Sequence, residues 1–222
     1  MKAYIISIVF LIPIVSFGQL DRSVRPEPAA APIINIANSE VIKLDNGMTI
    51  ILSESHKLPK VSFNLVMAAP PQLEKSMAGL SEIAGSLIMS GTDNRTKDVL
   101  DGEIDYIGAS LRADNNSLRL SCLTKHMDKG LAVMADVLLN ANFPQDEVDR
   151  ILKKNESDLL STKSDADGMA RNAVAVSNFS RHPFGEVMTD ATLANINRDA
   201  IVDYYKKSFI PKDSYFVVVG DI

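Results

Sequence analysis

The chain contains one cysteine and no tryptophan among its 222 residues. A single thiol, Cys122, cannot form a disulfide framework or a cysteine-rich zinc site within this chain. Cys122 lies in the alternating segment SLRLSCL, which predicts a small buried hydrophobic side chain rather than a reactive thiol. Histidine is also scarce: the chain has only His56, His126 and His182, and none lies three or four residues from another. The sequence therefore lacks the pair of histidines, one helical turn apart, that zinc-binding helices carry.

An excess of basic residues is also absent. The chain has 23 Lys and Arg residues against 28 Asp and Glu, which gives a formal net charge of −5. The basic residues are scattered along the chain, whereas phosphate contacts need clustered Lys and Arg. This composition argues against a nucleic-acid partner.

After its first twenty residues the chain has no apolar run long enough to span a membrane. The N-terminal run follows Lys2, is interrupted by Pro13, and ends with Ser16 and Gly18 at the −3 and −1 positions of a cleavage site. We therefore predict a signal peptide over residues 1–18 and an exported protein, periplasmic or secreted. Residues 19–40, rich in proline and alanine, are interpreted as an extended tether, with an ordered surface strap as the alternative.

Residues 41–222 carry a pattern of strands in hairpins and helices in groups. Two strands are predicted around Asp45-Asn46-Gly47, where Asn-Gly supplies the positive φ angles of a tight hairpin. Alternating apolar residues predict a strand at 61–67, and further strands are predicted at GASLRA, at SLRLSCL and, as the closing strand, at 215–219. Apolar residues at helical spacing predict a helix within 79–92. Further helices are predicted over 96–107, with Thr96 as its candidate cap, over 126–140, over 145–179 with a break near SDADG, and after the cap Asn197. This order predicts an α+β domain with a largely antiparallel sheet.

One segment, GLSEIAGSLIMSGT at residues 79–92, carries the most information about function. Its residues Leu80, Ile83, Ala84, Leu87 and Ile88 are spaced as one apolar stripe of a helix. A Gly-Leu pair opens the segment and a Gly-Thr pair closes it.

Several segments together resemble the first domain of the insulinase/pitrilysin-type metallopeptidases, over nearly the whole of residues 41–222. The similar segments, in order, are KLDNGMTIIL, GLSEIAGSLIMSGT, GASLRA, NFP at 142–144, HPFG at 182–185 and IVDYYKKSFIPKDSYFVVVGDI. The resemblance implies the fold of a mitochondrial-processing-peptidase-like metallohydrolase domain. Members of this family carry His-x-x-Glu-His between the two glycine pairs, where the histidines bind zinc and the glutamate is the general base.

This chain departs from the family at every position of that motif. Glu82 and Ser86 stand where the family has its two histidines, and Gly85 stands where it has the base. The family's more distant glutamate ligand corresponds to a position near Asp158, with Glu156 two residues away. Carboxylates alone suit Ca²⁺ or Mg²⁺ better than zinc. We therefore assign no catalytic residue, no metal ligand and no cofactor. Glu82 is interpreted as a residual polar group, or as a contact for a peptide amine or an arginine of a partner.

The resemblance implies a function in which two halves enclose a peptide, one catalytic and one degenerate. Our leading hypothesis is a non-catalytic domain that pairs with a zinc-bearing homologue, or with a second domain of a longer chain, and binds extended peptides. An open sheet edge near the cleft could take such a peptide as an added strand. The alternatives are a scaffold subunit of a larger assembly and an active zinc peptidase with unusual ligands.

Overall fold

One β-sheet organises the part of the chain that the structure describes. The structure is a computed structural model that describes residues 39–68 and 70–222. Its strands are β1 (Glu40–Lys43), β2 (Thr49–Glu54), β3 (Lys60–Val66), β4 (Ser110–Ala113), β5 (Ser117–Leu123) and β6 (Tyr215–Gly220). Each strand overlaps a segment that the sequence predicts to be a strand. The predicted signal peptide and almost all of the tether lie outside the described residues, and Glu40, the last tether residue, begins β1.

The α-helices within the described residues connect these strands. They are α1 (Leu80–Leu87), α2 (Lys97–Tyr106), α3 (Met127–Asn140), α4 (Gln145–Lys163), α5 (Ala166–Phe179), α6 (Asp190–Leu193) and α7 (Arg198–Ser208). The predicted caps are confirmed, since Thr96 accepts a bond from the Val99 amide and Asn197 from the Ala200 amide. The predicted break near SDADG is confirmed at Asp165, which caps α5. The sequence did not predict α6.

The strand order β1-β2-β6-β3-β5-β4 confirms an α+β fold with a largely antiparallel sheet. Only β2 and β6 run parallel among the paired strands of the described residues. The last strand of the chain therefore enters the sheet between β2 and β3, while β1 and β4 form its two edges.

The two faces of the sheet differ in composition. Val61, Phe63 and Leu65 of β3, with their neighbours Leu120 and Val218, join buried residues of the helices in one hydrophobic core. The alternate side chains point to the opposite side, which we call the open face, and most of them are half-buried or exposed. Those of the four strands from β6 to β4 are Lys60, Ser62, Asn64, Val66, Ser110, Arg112, Ser117, Arg119, Ser121, Leu123, Tyr215, Val217 and Val219.

Two local expectations are corrected. The sequence Asn-Gly predicts positive φ at both residues, but only Gly47 has it, at 89°. The turn joins Lys43 to Thr49 as a longer loop, in which the Asn46 side chain accepts from the Met48 amide at 3.0 Å. The dispersed methionines of the sequence predict core residues, yet Met169 is 55% exposed because α5 buries little of its surface.

Candidate functional site

The N-terminus of α1 is fixed by two glutamates. The Glu74 carboxylate accepts bonds from the backbone amides of Gly79, at 2.6 Å, and Ser81, at 2.9 Å. These are amides that the first turn of a helix leaves without partners, and an acidic group there also complements the helix dipole. The Glu186 carboxylate in turn accepts from the amides of Glu74 and Lys75, both at 2.7 Å. The segment after HPFG therefore holds the loop that starts α1.

Gly79 is required at the start of this helix for two reasons. Its φ of 102° lies in the left-handed region that side chains rarely adopt. A Cβ atom there would also lie 2.3 Å from Cε of Met188. The Gly-Leu pair that opens the segment thus has a structural role.

The apolar stripe of α1 is confirmed. Leu80, Ile83, Ala84, Leu87 and Ile88 are all buried, and each is at most 8% exposed. They belong to the core that covers the sheet. Helix α1 therefore packs into the core, although it has none of the metal-binding residues of the insulinase/pitrilysin-type peptidases.

Glu82 and Ser86 lie one turn apart on the exposed side of α1. Both side chains are exposed. Two zinc-binding histidines at these positions would also have to be exposed, because substrate must reach the metal. The Ser86 hydroxyl donates to the Ile83 carbonyl at 2.7 Å, so it is turned back onto its own helix. The two positions still face the surface, but they present one carboxylate and a hydroxyl that is already engaged.

Gly85 lies against the turn between β4 and β5. It is buried, and a Cβ atom there would lie 2.5 Å from the backbone nitrogen of Asn115 and 2.7 Å from the backbone carbon of Asp114. The Tyr204 hydroxyl donates to the Asn115 carbonyl at 3.0 Å and fixes the turn in this place. The backbone of the turn occupies the space of a side chain at position 85, so a glutamate base does not fit there.

The acidic residues of α4 do not complete a metal site with α1. Asp158 and Glu156 are both exposed, and Asp158 accepts a bond from Lys154 Nζ at 2.6 Å. Between residues 39 and 222, Ala69 left aside, no group of three or more His, Cys, Asp or Glu side chains is placed to hold a metal ion. These acidic side chains therefore lie on a solvated face of α4.

The Gly-Thr pair that closes the segment is held by a buried carboxylate. Asp136 of α3, 6% exposed, accepts hydrogen bonds from Thr92 Oγ1 and Asn94 Nδ2, both at 2.6 Å, and from Arg95 Nη1 and Asn140 Nδ2, both at 2.7 Å. Burial alone would raise the pKa of Asp136. These four bonds outweigh burial and hold the pKa well below its usual range.

A sequence signal for this network existed but was missed. Asp136 occupies a position of α3 between Val133 and Val137, both of which are buried. A charged residue within an apolar helix face is rarely buried unless its charge is paired. That pattern predicts an internal partner, which the structure identifies as the loop after α1.

His182 and His56 form their hydrogen bonds away from α1. His182 forms part of a turn, and its Nδ1 accepts from the Phe184 amide at 3.2 Å. His56 is exposed, and its Nδ1 lies 2.7 Å from Asp221 Oδ1. The hydrogen bond to Asp221 raises the pKa of His56. Sequence reasoning missed this pair, because its members are 165 positions apart.

Cys122 is buried, as predicted, and burial raises the pKa of its thiol. A thiol with a raised pKa holds less of the thiolate that acts as nucleophile or metal ligand. Its position on the core face of β5 agrees with the packing role that the sequence predicts. None of the helices in the described residues is long and apolar enough to cross a membrane.

Comparison with known proteins places these features in a family. The sequence profile of Insulinase (Peptidase family M16) matches residues 50–188. An uncharacterized zinc protease of Rickettsia bellii (strain RML369-C) is 23% identical over 192 residues, which are 83% of this chain and 47% of that protein.

Two solved structures have the same fold. The peptidase M16 inactive domain from Pseudomonas fluorescens gives a TM-score of 0.77 at 16% identity, over 84% of this chain and 47% of that chain. The periplasmic protease PqqL from Escherichia coli gives a TM-score of 0.68 at 19% identity, over 86% of this chain and 23% of that chain. The chain therefore spans about half the length, or less, of these relatives.

Proposed function

Because the chain belongs to the insulinase family of peptidases, M16, we propose that it is a non-catalytic member that pairs with a zinc-bearing homologous domain and helps to hold extended peptides. The observation that carries this proposal is the contact between Gly85 and the β4–β5 turn. A Cβ atom at position 85 would lie 2.5 Å from a backbone atom, so the position of the general base is closed. The likeness to a domain described as inactive supports the same conclusion.

The proposed pairing is supported by the lengths of the relatives. The matched region is 47% of the Rickettsia bellii protein and 47% of the Pseudomonas fluorescens chain. In such relatives a second region of similar size accompanies the one that this chain matches. A second half, either on a separate chain or within one longer chain, would supply the zinc site that this domain lacks.

The proposed peptide site is the β4 edge of the sheet. The turn that follows β4 contacts α1 at Gly85, so this edge lies beside the former zinc helix. The Asp114 amide donates to the Ser117 carbonyl at 2.8 Å, and hydrogen-bonded pairs alternate along antiparallel strands. The backbone groups of Leu111 and Ala113 therefore face away from β5. An extended peptide can bond to these groups whatever its sequence.

We also propose that the protein is exported. The pattern of residues 1–18 is that of a signal peptide, and one protein of the same fold is a periplasmic protease. An exported protein of this kind would bind peptides that are present in the periplasm or outside the cell.

An affinity capture with the tagged protein, from the exported fraction of its own cells, tests the pairing. We expect a homologue that carries His-x-x-Glu-His, and we expect its peptidase activity to rise when this protein is added back. Recovery of an assembly without peptidase activity would instead favour a scaffold role. Chelator-sensitive activity in the isolated protein would contradict the non-catalytic assignment.

Strand addition is tested with proline, which removes the backbone donor at an edge. Ala113→Pro removes a backbone amide that faces away from β5 at the edge of the sheet. We expect this variant to lose binding of a fluorescein-labelled extended peptide. Val41→Pro is the matched control, because Val41 is 59% exposed and lies on β1, the opposite edge. Equal loss of binding in both variants would contradict a site at β4.

A further inference from the structure

Two arginines lie side by side on the open face, at the edge of the sheet. Arg112 of β4 and Arg119 of β5 are directly opposite in the antiparallel register, so their side chains point to the same face. Both are exposed. Like charges directly opposite each other destabilise a sheet, unless a negative group lies between them.

The carboxylates of the described residues neutralise this pair only in part. Asp114 lies 3.4 Å from Arg119 Nη1, but the side chains of both are more than half exposed. Exposed ion pairs contribute little, and Asp114 also accepts a bond from the Ser117 hydroxyl at 3.0 Å. Among residues 39–68 and 70–222, no carboxylate lies within ion-pair distance of Arg112. The arginine on the edge strand is thus the one without an acidic neighbour.

The edge geometry determines which group of a bound peptide meets Arg112. A strand that pairs with β4 continues the pleat of the sheet, so its alternate side chains lie on the open face. One of them stands directly beside Arg112, on the side away from Arg119. The guanidinium group presents a planar set of donors that matches a carboxylate.

We propose that Arg112, with Arg119 beside it, selects an acidic side chain in the extended peptide that adds to β4. This inference rests on the proposed function and names its substrate class: extended peptides that carry an aspartate or glutamate on the side facing the sheet. Arg112 contacts the acidic side chain, whereas Arg119 raises the positive potential at that position.

Three labelled peptides of equal length test the selection, each with a serine- and threonine-rich sequence and a central glutamate, glutamine or lysine. Their dissociation constants are measured by fluorescence anisotropy on the purified protein at low salt. We expect the glutamate peptide to bind about two- to fivefold tighter than the glutamine peptide, the range of one exposed ion pair. The lysine peptide should bind most weakly. Added salt should reduce the differences, because it screens exposed charges.

Substitutions then assign the preference to its residue. Arg112→Gln should remove most of the preference for the glutamate peptide over the glutamine peptide, without weakening the glutamine peptide, and Arg119→Gln should remove a smaller part of it. Arg181→Gln is the control: it removes the same charge from an exposed position after α5 and should leave the preference unchanged.

The outcomes separate this inference from the function on which it rests. If the glutamate and glutamine peptides bind equally to the unmodified protein, the acidic selection is wrong while peptide binding stands. If Arg181→Gln reduces the preference as much as Arg112→Gln, net charge explains it and the assignment to Arg112 is overturned. If no peptide binds, both the proposed peptide-holding function and the inference fail.

Discussion

Replacement of Gly85 by alanine tests whether packing against the β4–β5 turn determines the residue at this position. The added Cβ would lie 2.5 Å, 2.7 Å and 2.8 Å from three backbone atoms of Asp114 and Asn115, which cannot rotate away as a side chain does. Overpacking of this kind costs about 1–3 kcal/mol. Alanine regains about 1 kcal/mol in helix propensity. Because all three contacts are with backbone, we expect the upper part of the range and a net loss of about 2 kcal/mol in the free energy of unfolding.

Gly102→Ala provides the matched control, because Gly102 also lies inside a helix and a Cβ there meets nothing within 4 Å. This variant should gain about 0.5–1 kcal/mol from propensity alone. The comparison of the two variants therefore isolates the cost of the contact with the turn, at about 3 kcal/mol.

Urea unfolding measures both changes, as shifts of the midpoint at constant slope. For Gly85→Ala the melting temperature should fall by about 4–8 °C. If Gly85→Ala is as stable as the unmodified protein or more stable, the turn yields to a side chain. Position 85 would then be open to a catalytic base.

Three further predictions address metal binding and pH. The double variant Glu82→His and Ser86→His should retain no stoichiometric zinc after gel filtration, because two histidines lack the third protein ligand that a zinc site needs. It should also show no peptidase activity, because no base fits beside the histidines; metal analysis and a peptide assay check both expectations. Since the pKa of Asp136 lies below its unfolded value, its stabilisation is complete above about pH 4 and is lost as the pH falls. Asp136→Asn should remove that acid dependence and cost about 3 kcal/mol at neutral pH, measured by urea unfolding across pH. Because the pKa of His56 is raised, stabilisation by its bond to Asp221 is present below pH 6.5 and is lost as the pH rises through the folded-state pKa. An NMR titration should give a lower His56 pKa in Asp221→Asn.

Elements with a strong local pattern were predictable from the sequence. The strand over 60–66 and the helix over 80–87 bury alternate residues or one stripe, and their patterns contain that information directly. The caps Thr96 and Asn197 were also predictable, because a cap bonds to an amide only three residues away.

Features that depend on distant residues were not predictable in the same way. The apolar run YFVVV at 215–219 predicts a strand, but nothing in that segment specifies its place between β2 and β3. The contact of Gly85 with Asn115 joins a helix to a turn thirty positions away. A glycine in a helix indicates only that a side chain is absent there. The structure identifies the backbone that takes its place.

The residues that identify the family are therefore not the residues that perform its chemistry. Gly79 allows a left-handed helix start beside Met188, and Thr92 is held by the buried Asp136. Both roles concern the position of α1 in the core and neither requires a metal. A chain without the zinc ligands can therefore keep the Gly-Leu and Gly-Thr pairs for folding alone. A sequence similarity that consists of such residues establishes the fold. Catalysis has to be judged at positions 82, 85 and 86. There this chain has a carboxylate, a glycine with no space for a side chain, and a hydroxyl that donates to its own helix.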